Sequence, residues 1–298
     1  MEIAQLVQLI AVLMVAGLAA GFAAGLFGIG GGFVVVPALL AVFTAFNVDP
    51  SVVTHVAIGT SLATIIVTSA RSIHAHNKRG AVDFQVIRDW TPWLVIGAAL
   101  GIVLALFVDG RSLKWIFSIG VFLMGIYFLL PRLRPEKPVA TEMPKGVALA
   151  VIASFLGAFS ALLGIGGGTI AVLVMTLCGR PIHQAVATAA GFGVVIAIPG
   201  AIGFALIGLF ANHGPLPVGS FGYVNYVALA AITTMSFITA PLGAKAAHSM
   251  NGPILKRVFG VYLIVTSALV VHNTFAAQEN VATEHGLVVA NERAIKNN

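Results

Sequence analysis

The chain has 298 residues, of which only 16 are basic and 10 are acidic. A soluble domain carries about 25% charged residues, whereas this chain carries 9% and is 59% hydrophobic, which excludes an ordinary soluble domain. The single cysteine, Cys178, excludes an intramolecular disulfide and a cysteine metal cluster.

Long stretches without charge predict an all-α integral membrane protein. No charged residue lies between Glu2 and Asp49 or between Arg180 and Lys245. A transmembrane helix needs about 20 apolar residues, so the chain has room for eight to ten membrane segments. Helical apolar runs and 33 glycines favour a bundle over a barrel. The candidate segments are, in chain order, residues 5–27, 33–46, 51–70, 92–108, 113–130, 146–163, 169–178, 184–210, 224–243 and 255–276.

The second and seventh segments are short, and each follows the same string, GIGGG. The strings occupy Gly28–Gly32 and Gly164–Gly168. Glycine costs about 1 kcal/mol per position inside a helix, so four glycines in five residues predict a helix interruption. Within a membrane, such a break is tolerated only where the freed backbone groups are buried in protein or line a cavity.

The strings belong to an internal duplication. Gly28 aligns with Gly164, Thr60 with Thr188, and the sequence before Asp83 with that before Asn225. Asp83 and Asn225 each open a segment and are expected to be helix N-caps. Each half holds five segments, an odd number, so the second half is expected to be inverted. We predict a first transmembrane repeat at 1–135, a cytoplasmic linker at 136–145, a second, inverted repeat at 146–276 and a polar C-terminal tail at 277–298.

Basic residues predict the orientation. If all ten segments cross, one side receives 12 of the 16 basic residues. By the positive-inside rule this side is cytoplasmic, which places both termini outside. The 12 residues are Arg71, Lys78, Arg79, Arg88, Arg132, Arg134, Lys137, Lys145, Arg180, Lys245, Lys256 and Arg257.

The glycine strings predict an anion site. Each short segment begins directly after its string, so each string supplies a helix N-terminus with unsatisfied N–H donors and about +0.5 elementary charge. Paired interrupted helices at the interface of inverted repeats are typical of transporters. Close packing of small residues, and bonding of hydroxyls to their own helix, are the structural alternatives. The candidate substrate-binding residues are Gly30, Gly31, Gly32, Gly166, Gly167, Gly168, Thr60, Ser61, Thr188 and Thr169.

Histidines are the titratable residues closest to these segments. His55, His183 and His248 are candidates for proton coupling, with capping of a helix end at the membrane interface as the alternative. His74 and His76 form an HxH pair that we expect in a cytoplasmic loop, where a lipid-headgroup or partner surface is favoured over a metal site. No catalytic motif is present, so we expect a protein that is not an enzyme and has neither cofactor nor metal.

Three strings resemble the TauE/SafE family of sulfite and sulfonate exporter permeases. They are GLFGIGGGFVVVPALL at 25–40, AIGTSL at 57–62 and LLGIGGGTIAVLV at 162–174, and the resemblance runs from about residue 10 to 275. It implies transport of sulfur-containing anions, such as sulfite, thiosulfate or small organosulfonates, across the cytoplasmic membrane of a prokaryote. Because Cys178 is the only cysteine, we expect sulfite or a C2 organosulfonate and a bacterial inner membrane.

Together these observations predict a secondary transporter, most simply an exporter, that works by alternating access. The remaining alternative is an anion channel or facilitator for sulfur oxyanions or small carboxylates. The expected partners are a small anion and the lipid bilayer but no nucleic acid, and a homodimer is left open.

Overall fold

The computed structural model describes residues 3–108, 110–130, 142–210 and 214–271. Ten helices and one short hairpin occupy these ranges, in agreement with the all-α prediction. The hairpin pairs Ser220–Phe221 with Val224–Asn225 in antiparallel fashion, just before α9. The helices are α1 (Ile3–Phe27), α2 (Gly32–Ala45), α3 (Pro50–Asn77), α4 (Phe84–Ala105), α5 (Gly110–Leu129), α6 (Gly146–Leu163), α7 (Gly168–Leu177), α8 (Ile182–Phe210), α9 (Tyr226–Ser249) and α10 (Gly252–Val271).

Side-chain caps fix where three of the helices begin. Asp49 accepts a hydrogen bond from the Ser51 amide at the start of α3. Asp83 caps α4 by accepting from the Val86 amide, and Asn225 caps α9 by accepting from the Ala228 amide. These carboxylate and amide oxygens accept hydrogen bonds from N–H groups that have no partner within the helix. They therefore determine the residue at which each helix begins. The predicted capping by Asp83 and Asn225 is confirmed.

Both glycine strings interrupt the helices as the composition predicts. Helix α1 ends at Phe27 and α2 begins at Gly32, while α6 ends at Leu163 and α7 begins at Gly168. The residues that precede the two short helices, Gly31 and Gly167, have φ angles of 82° and 74°. Only glycine adopts this left-handed conformation without strain, so the strings need their glycines to turn the chain.

The helices of the two halves pack in matched pairs. Helix α1 packs along α9, and α6 packs along α4. In the duplication α6 corresponds to α1 and α4 to α9, so the two contacts are equivalent. Glycines let the backbones meet: a Cβ on Gly25 would strike the Ala240 carbonyl, and one on Gly97 would strike the Ser154 carbonyl. The central pair is α3 with α8. These contacts agree with a duplication, whereas the repeat boundaries and the inverted orientation stay predictions.

The outer surface of the bundle is apolar. Seven helices are long and apolar enough to cross a membrane, and the shorter apolar helices among the described residues are Gly32–Ala45, Ser118–Leu129 and Gly168–Leu177. Large hydrophobic side chains of α4 and α6 project outward, which water would oppose and lipid tails would accept. Examples are Leu100, Leu104, Val151 and Phe155, each at least half exposed.

Helix α3 is longer than predicted. It continues through His74 and His76 to Asn77, so the HxH pair lies in the last turns of a helix and not in a loop. His74 is exposed but His76 is fully buried, so the expectation of a shared solvated surface was wrong. Part of the predicted linker, residues 136–141, and the tail 277–298 lie outside the described residues.

Candidate functional site

The two glycine strings lie against each other at the centre of the bundle. A Cβ on Gly32 would strike the Gly164 carbonyl, and a Cβ on Gly168 would strike the Gly28 carbonyl. Gly164 and Gly168 are the duplicates of Gly28 and Gly32, so the contact is reciprocal. The sequence predicted two helix N-termini at one site, and the structure brings them together.

Side chains of α3 hold both strings. Thr68 donates a hydrogen bond to the Gly30 carbonyl at 2.6 Å, and Ser61 donates to the Gly164 carbonyl at 2.8 Å. Both hydroxyls are fully buried. These bonds satisfy carbonyl groups that the helix interruptions leave without partners, which stabilises the breaks. Ser61, a candidate substrate donor, therefore has a structural role.

Three buried hydroxyls near the strings have no hydrogen-bond partner among the described residues. They are the hydroxyls of Ser69, Ser160 and Thr169. Ser69 Oγ lies 2.7 Å from where a Cβ on Gly30 would be, and Ser160 Oγ lies 3.2 Å from the same point on Gly167. Thr169 is the second residue of α7. An unsatisfied buried hydroxyl costs about 1–3 kcal/mol, and each of these three could donate to a ligand that accepts hydrogen bonds.

No side chain with a fixed charge is buried in the described part of the chain. The buried polar residues are serines, threonines, one asparagine and His76. The field at the centre therefore comes from helix ends: the N-termini of α2 and α7 are positive ends, and the C-termini of α1 and α6, which precede them in the two strings, are negative ends. A ligand there meets N–H and O–H donors, which suit an anion.

Residues 13–270 match the model of a protein family described as sulfite exporter TauE/SafE. The chain belongs to this family. The match spans both glycine strings and all of the central helices.

Curated relatives of this TauE/SafE protein are named as transporters. A probable membrane transporter protein of Haemophilus influenzae is 32% identical over 85% of the chain and 95% of its own length. One of Methanocaldococcus jannaschii is 29% identical, covering 80% and 86%. The Bacillus subtilis protein YunE, also named a probable membrane transporter, is 26% identical, covering 88% and 97%. No solved structure matches the chain.

The family and the helices make this chain a multi-pass membrane transporter of the TauE/SafE type. Its relatives are named as transporters and not as enzymes, which agrees with the absence of a catalytic motif. The relatives' names give no substrate.

Thr60 and Thr188 hold the loops before α9 and α4. The Thr60 hydroxyl accepts from the Asn225 amide at 2.9 Å, and the Thr188 hydroxyl accepts from the Asp83 amide at 3.0 Å. Each bond joins one half of this TauE/SafE protein to the other. Because a hydroxyl both accepts and donates, each threonine keeps its own O–H for another acceptor. Their role in substrate binding stays a prediction.

The predicted histidines lie at two places. His55 stacks on Tyr223, with ring centroids 5.2 Å apart, beside the hairpin. Burial raises the pKa of the Tyr223 hydroxyl to about 12, so this phenol stays neutral. His183 and His248 stack on each other at the other end of α3 and α8, with centroids 5.7 Å apart. The structure thus brings two of the three candidates together.

Sequence reasoning missed four members of these clusters. Ser69, Ser160 and Thr68 contact the strings, and His76 hydrogen-bonds to His248. One signal could have found Thr68 and His76, although not Ser69: a hydroxyl or histidine recurs every four residues on α3, so each lies about one turn from the next. The recurring residues are Thr60, Thr64, Thr68, Ser72 and His76.

Proposed function

We propose that this protein is a secondary transporter that exports a small sulfur-containing anion, sulfite or a C2 organosulfonate, by alternating access around the two glycine strings. The observation that carries the proposal is the meeting of two helix N-termini beside three buried hydroxyls without partners. Helix N-termini and hydroxyls bind oxyanions without a counter-charge. The choice of a sulfur-containing anion follows from the family's description, which names a sulfite exporter.

The binding residues of the proposed site combine predicted and new members. Gly30–Gly32 and Gly166–Gly168 form the two turns, and Thr169, Ser69 and Ser160 offer hydroxyl protons. Neutral donors bind an anion more weakly than arginine or lysine does, which favours release after each crossing. Ser69 lies on α3, whereas Ser160 and Thr169 lie on α6 and α7. The site is not symmetric, because the duplicate of Ser69 is Ala197, which has no hydroxyl.

Burial favours a transporter over a channel. Ser69, Ser160 and Thr169 each have no exposed surface, so the proposed site is closed to both sides. An open channel would keep a continuous wet path through these residues. We propose the cytoplasmic membrane of a bacterium as the location, with both termini outside. For an anion that leaves a cell with a negative interior without a coupled ion, 100 mV contributes about 2.3 kcal/mol per charge.

Flux measurements with purified protein in liposomes test the proposal. Ser69→Ala and Thr169→Val each remove one donor, so we expect anion affinity to fall about 10- to 100-fold, since a hydrogen bond to a charged group contributes about 1.5–3 kcal/mol. Ser249→Ala is the matched control, because Ser249 is exposed and bonds only within its own helix. Unchanged affinity for sulfite and for 2-carbon sulfonates in both variants would refute the site. A flux that saturates with anion concentration, without single-channel currents, supports the transporter over the channel.

A further inference from the structure

We infer that His76 and His248 together form a proton-binding site that couples proton movement to the anion. This inference rests on the proposed function, which it extends by naming the coupled ion. The two residues are 172 positions apart, yet Nδ1 of His76 lies 3.0 Å from Nε2 of His248. His76 comes from α3 and His248 from α9, so the pair joins the two halves of the chain.

Hydrogen bonding fixes where the protons lie in the neutral pair. Nε2 of His76 lies 2.8 Å from the Gly25 carbonyl oxygen, which can only accept, so Nε2 carries a hydrogen. In the neutral ring Nδ1 is then an acceptor. It follows that Nε2 of His248 carries the hydrogen that joins the two rings, and that Nδ1 of His248 carries none.

One extra proton can enter this pair without loss of a hydrogen bond. The proton binds Nδ1 of His248, and the hydrogen on Nε2 of His248 moves to Nδ1 of His76. His76 then carries the single positive charge and donates from both nitrogens, to the Gly25 carbonyl and to Nε2 of His248. His248 is only partly buried and gives the proton a way in, whereas His76 is fully buried.

Of the residues that the structure describes, those around the two histidines supply no negative charge to balance an added proton. His183 stacks on His248 and donates from Nε2 to the Met250 carbonyl at 2.9 Å. Arg79 donates to the Ala244 carbonyl at 3.3 Å, one turn before His248 on α9. No carboxylate forms an ion pair with these groups among the described residues. The cluster is therefore positive or neutral, and a bound anion is the partner that offsets an added proton.

Helix α3 connects the pair to the proposed anion site. Three residues spaced by four on this helix, Thr68, Ser72 and His76, donate to carbonyls of α1 and its glycine string. Eight residues of helix separate Thr68 from His76, which is about 12 Å. At that distance charges in a poorly solvated interior interact. Because binding linkage is reciprocal, an anion that favours proton uptake is bound more tightly when the proton is present.

Two measurements test the inference. The first is nitrogen-15 NMR of histidine-labelled protein, in which ring shifts distinguish the tautomers and the charged form. On acidification from about pH 7.5 to pH 4 we expect His76 and His248 to titrate together, and each signal to change its pH response when the other residue is replaced by glutamine. Rings that stay neutral and independent across this range would overturn the inference, whether or not the protein transports an anion.

The second measurement is the pH dependence of sulfonate binding and flux in liposomes. Isethionate keeps one negative charge over this range, so its own ionisation does not contribute. We expect its affinity to rise several-fold per pH unit on acidification, up to the tenfold limit for one proton, and protons to accompany it. In His76→Gln, which keeps a donor for Gly25, and in His248→Gln, flux persists but is independent of pH. Exposed His74→Gln is the control and behaves as wild type.

The outcomes separate the two proposals. If the wild-type protein moves the anion without protons and with a pH-independent affinity, the proton site fails and the transporter stands. If no anion moves, the transporter proposal fails, and the NMR titration alone decides the proton site.

Discussion

The Thr60 hydroxyl accepts a hydrogen bond from the backbone amide of Asn225, with 2.9 Å between Oγ1 and N. Both residues are buried. In Thr60→Val the amide has no acceptor, so we expect the free energy of unfolding to fall by about 1–3 kcal/mol, as it does when a buried group loses its partner. Thermal unfolding in detergent measures this loss. Thr60→Ser keeps the oxygen and should recover most of the stability; equal losses in both variants would contradict the role of this bond.

The reciprocal contact of the glycine strings predicts a strict size limit. Gly168→Ala places a methyl group against the Gly28 carbonyl and the Ile29 backbone, which cannot move without shifting the other string. We expect a loss of several kcal/mol or a failure to fold, as for overpacked cores. Gly252→Ala is the control, because a Cβ there meets only the Ile182 side chain at 3.2 Å. Size-exclusion chromatography and thermal unfolding of both variants measure the difference.

Two neighbouring residues on α3 allow a comparison between a hydroxyl that bonds to the backbone and one that is unpaired. Thr68 donates to the Gly30 carbonyl, whereas the Ser69 hydroxyl has no partner among the described residues. Thr68→Val should lower the free energy of unfolding by about 1–3 kcal/mol, and Ser69→Ala should leave it unchanged or raise it. Unfolding without substrate measures both. A larger loss in Ser69→Ala than in Thr68→Val would show that Ser69 is structural.

The hydrogen bonds of Asp49 at the start of α3 predict that the folded state loses stability in acid. Hydrogen bonds from the Ser51 hydroxyl, and then from its amide, lower the pKa of the Asp49 carboxyl below 3.8. A pKa that is lower in the folded state contributes stability above about pH 4, and this contribution is lost as the pH falls through the folded pKa. Between pH 5 and pH 3, the melting temperature of the wild type should therefore fall more than that of Asp49→Asn. Ser51→Ala, which removes the main cause of the shift, should resemble Asp49→Asn.

The predicted inverted orientation has a direct test. If the basic side is cytoplasmic, residue 79 faces the cytoplasm and residue 214 faces outward. In a Cys178→Ala background, Arg79→Cys should react with a membrane-impermeant thiol reagent only after the cells are opened. Gly214→Cys should react in intact cells. Reaction of both positions from the same side would refute the topology, and with it the inverted repeat.

The sequence by itself determined the features that depend on local chemistry. Long charge-free stretches identified a membrane protein with room for eight to ten membrane segments, because the hydrocarbon of a bilayer accepts few charges. Glycine runs marked the two helix breaks, and Asp83 and Asn225 marked helix starts, since both effects act over a few residues. The end of α3 was missed because nothing local between Arg71 and Asn77 distinguishes the last turns of a helix from a polar loop.

Only the tertiary structure decided what the polar side chains do. Whether a hydroxyl binds a backbone group or stays unpaired depends on which helix lies opposite, and local sequence does not specify this. Ser61 and Ser69 each follow a threonine on α3. Ser61 donates to the Gly164 carbonyl, whereas the Ser69 hydroxyl has no partner among the described residues. The contact between His76 and His248 spans 172 positions and exists because α3 packs against α9.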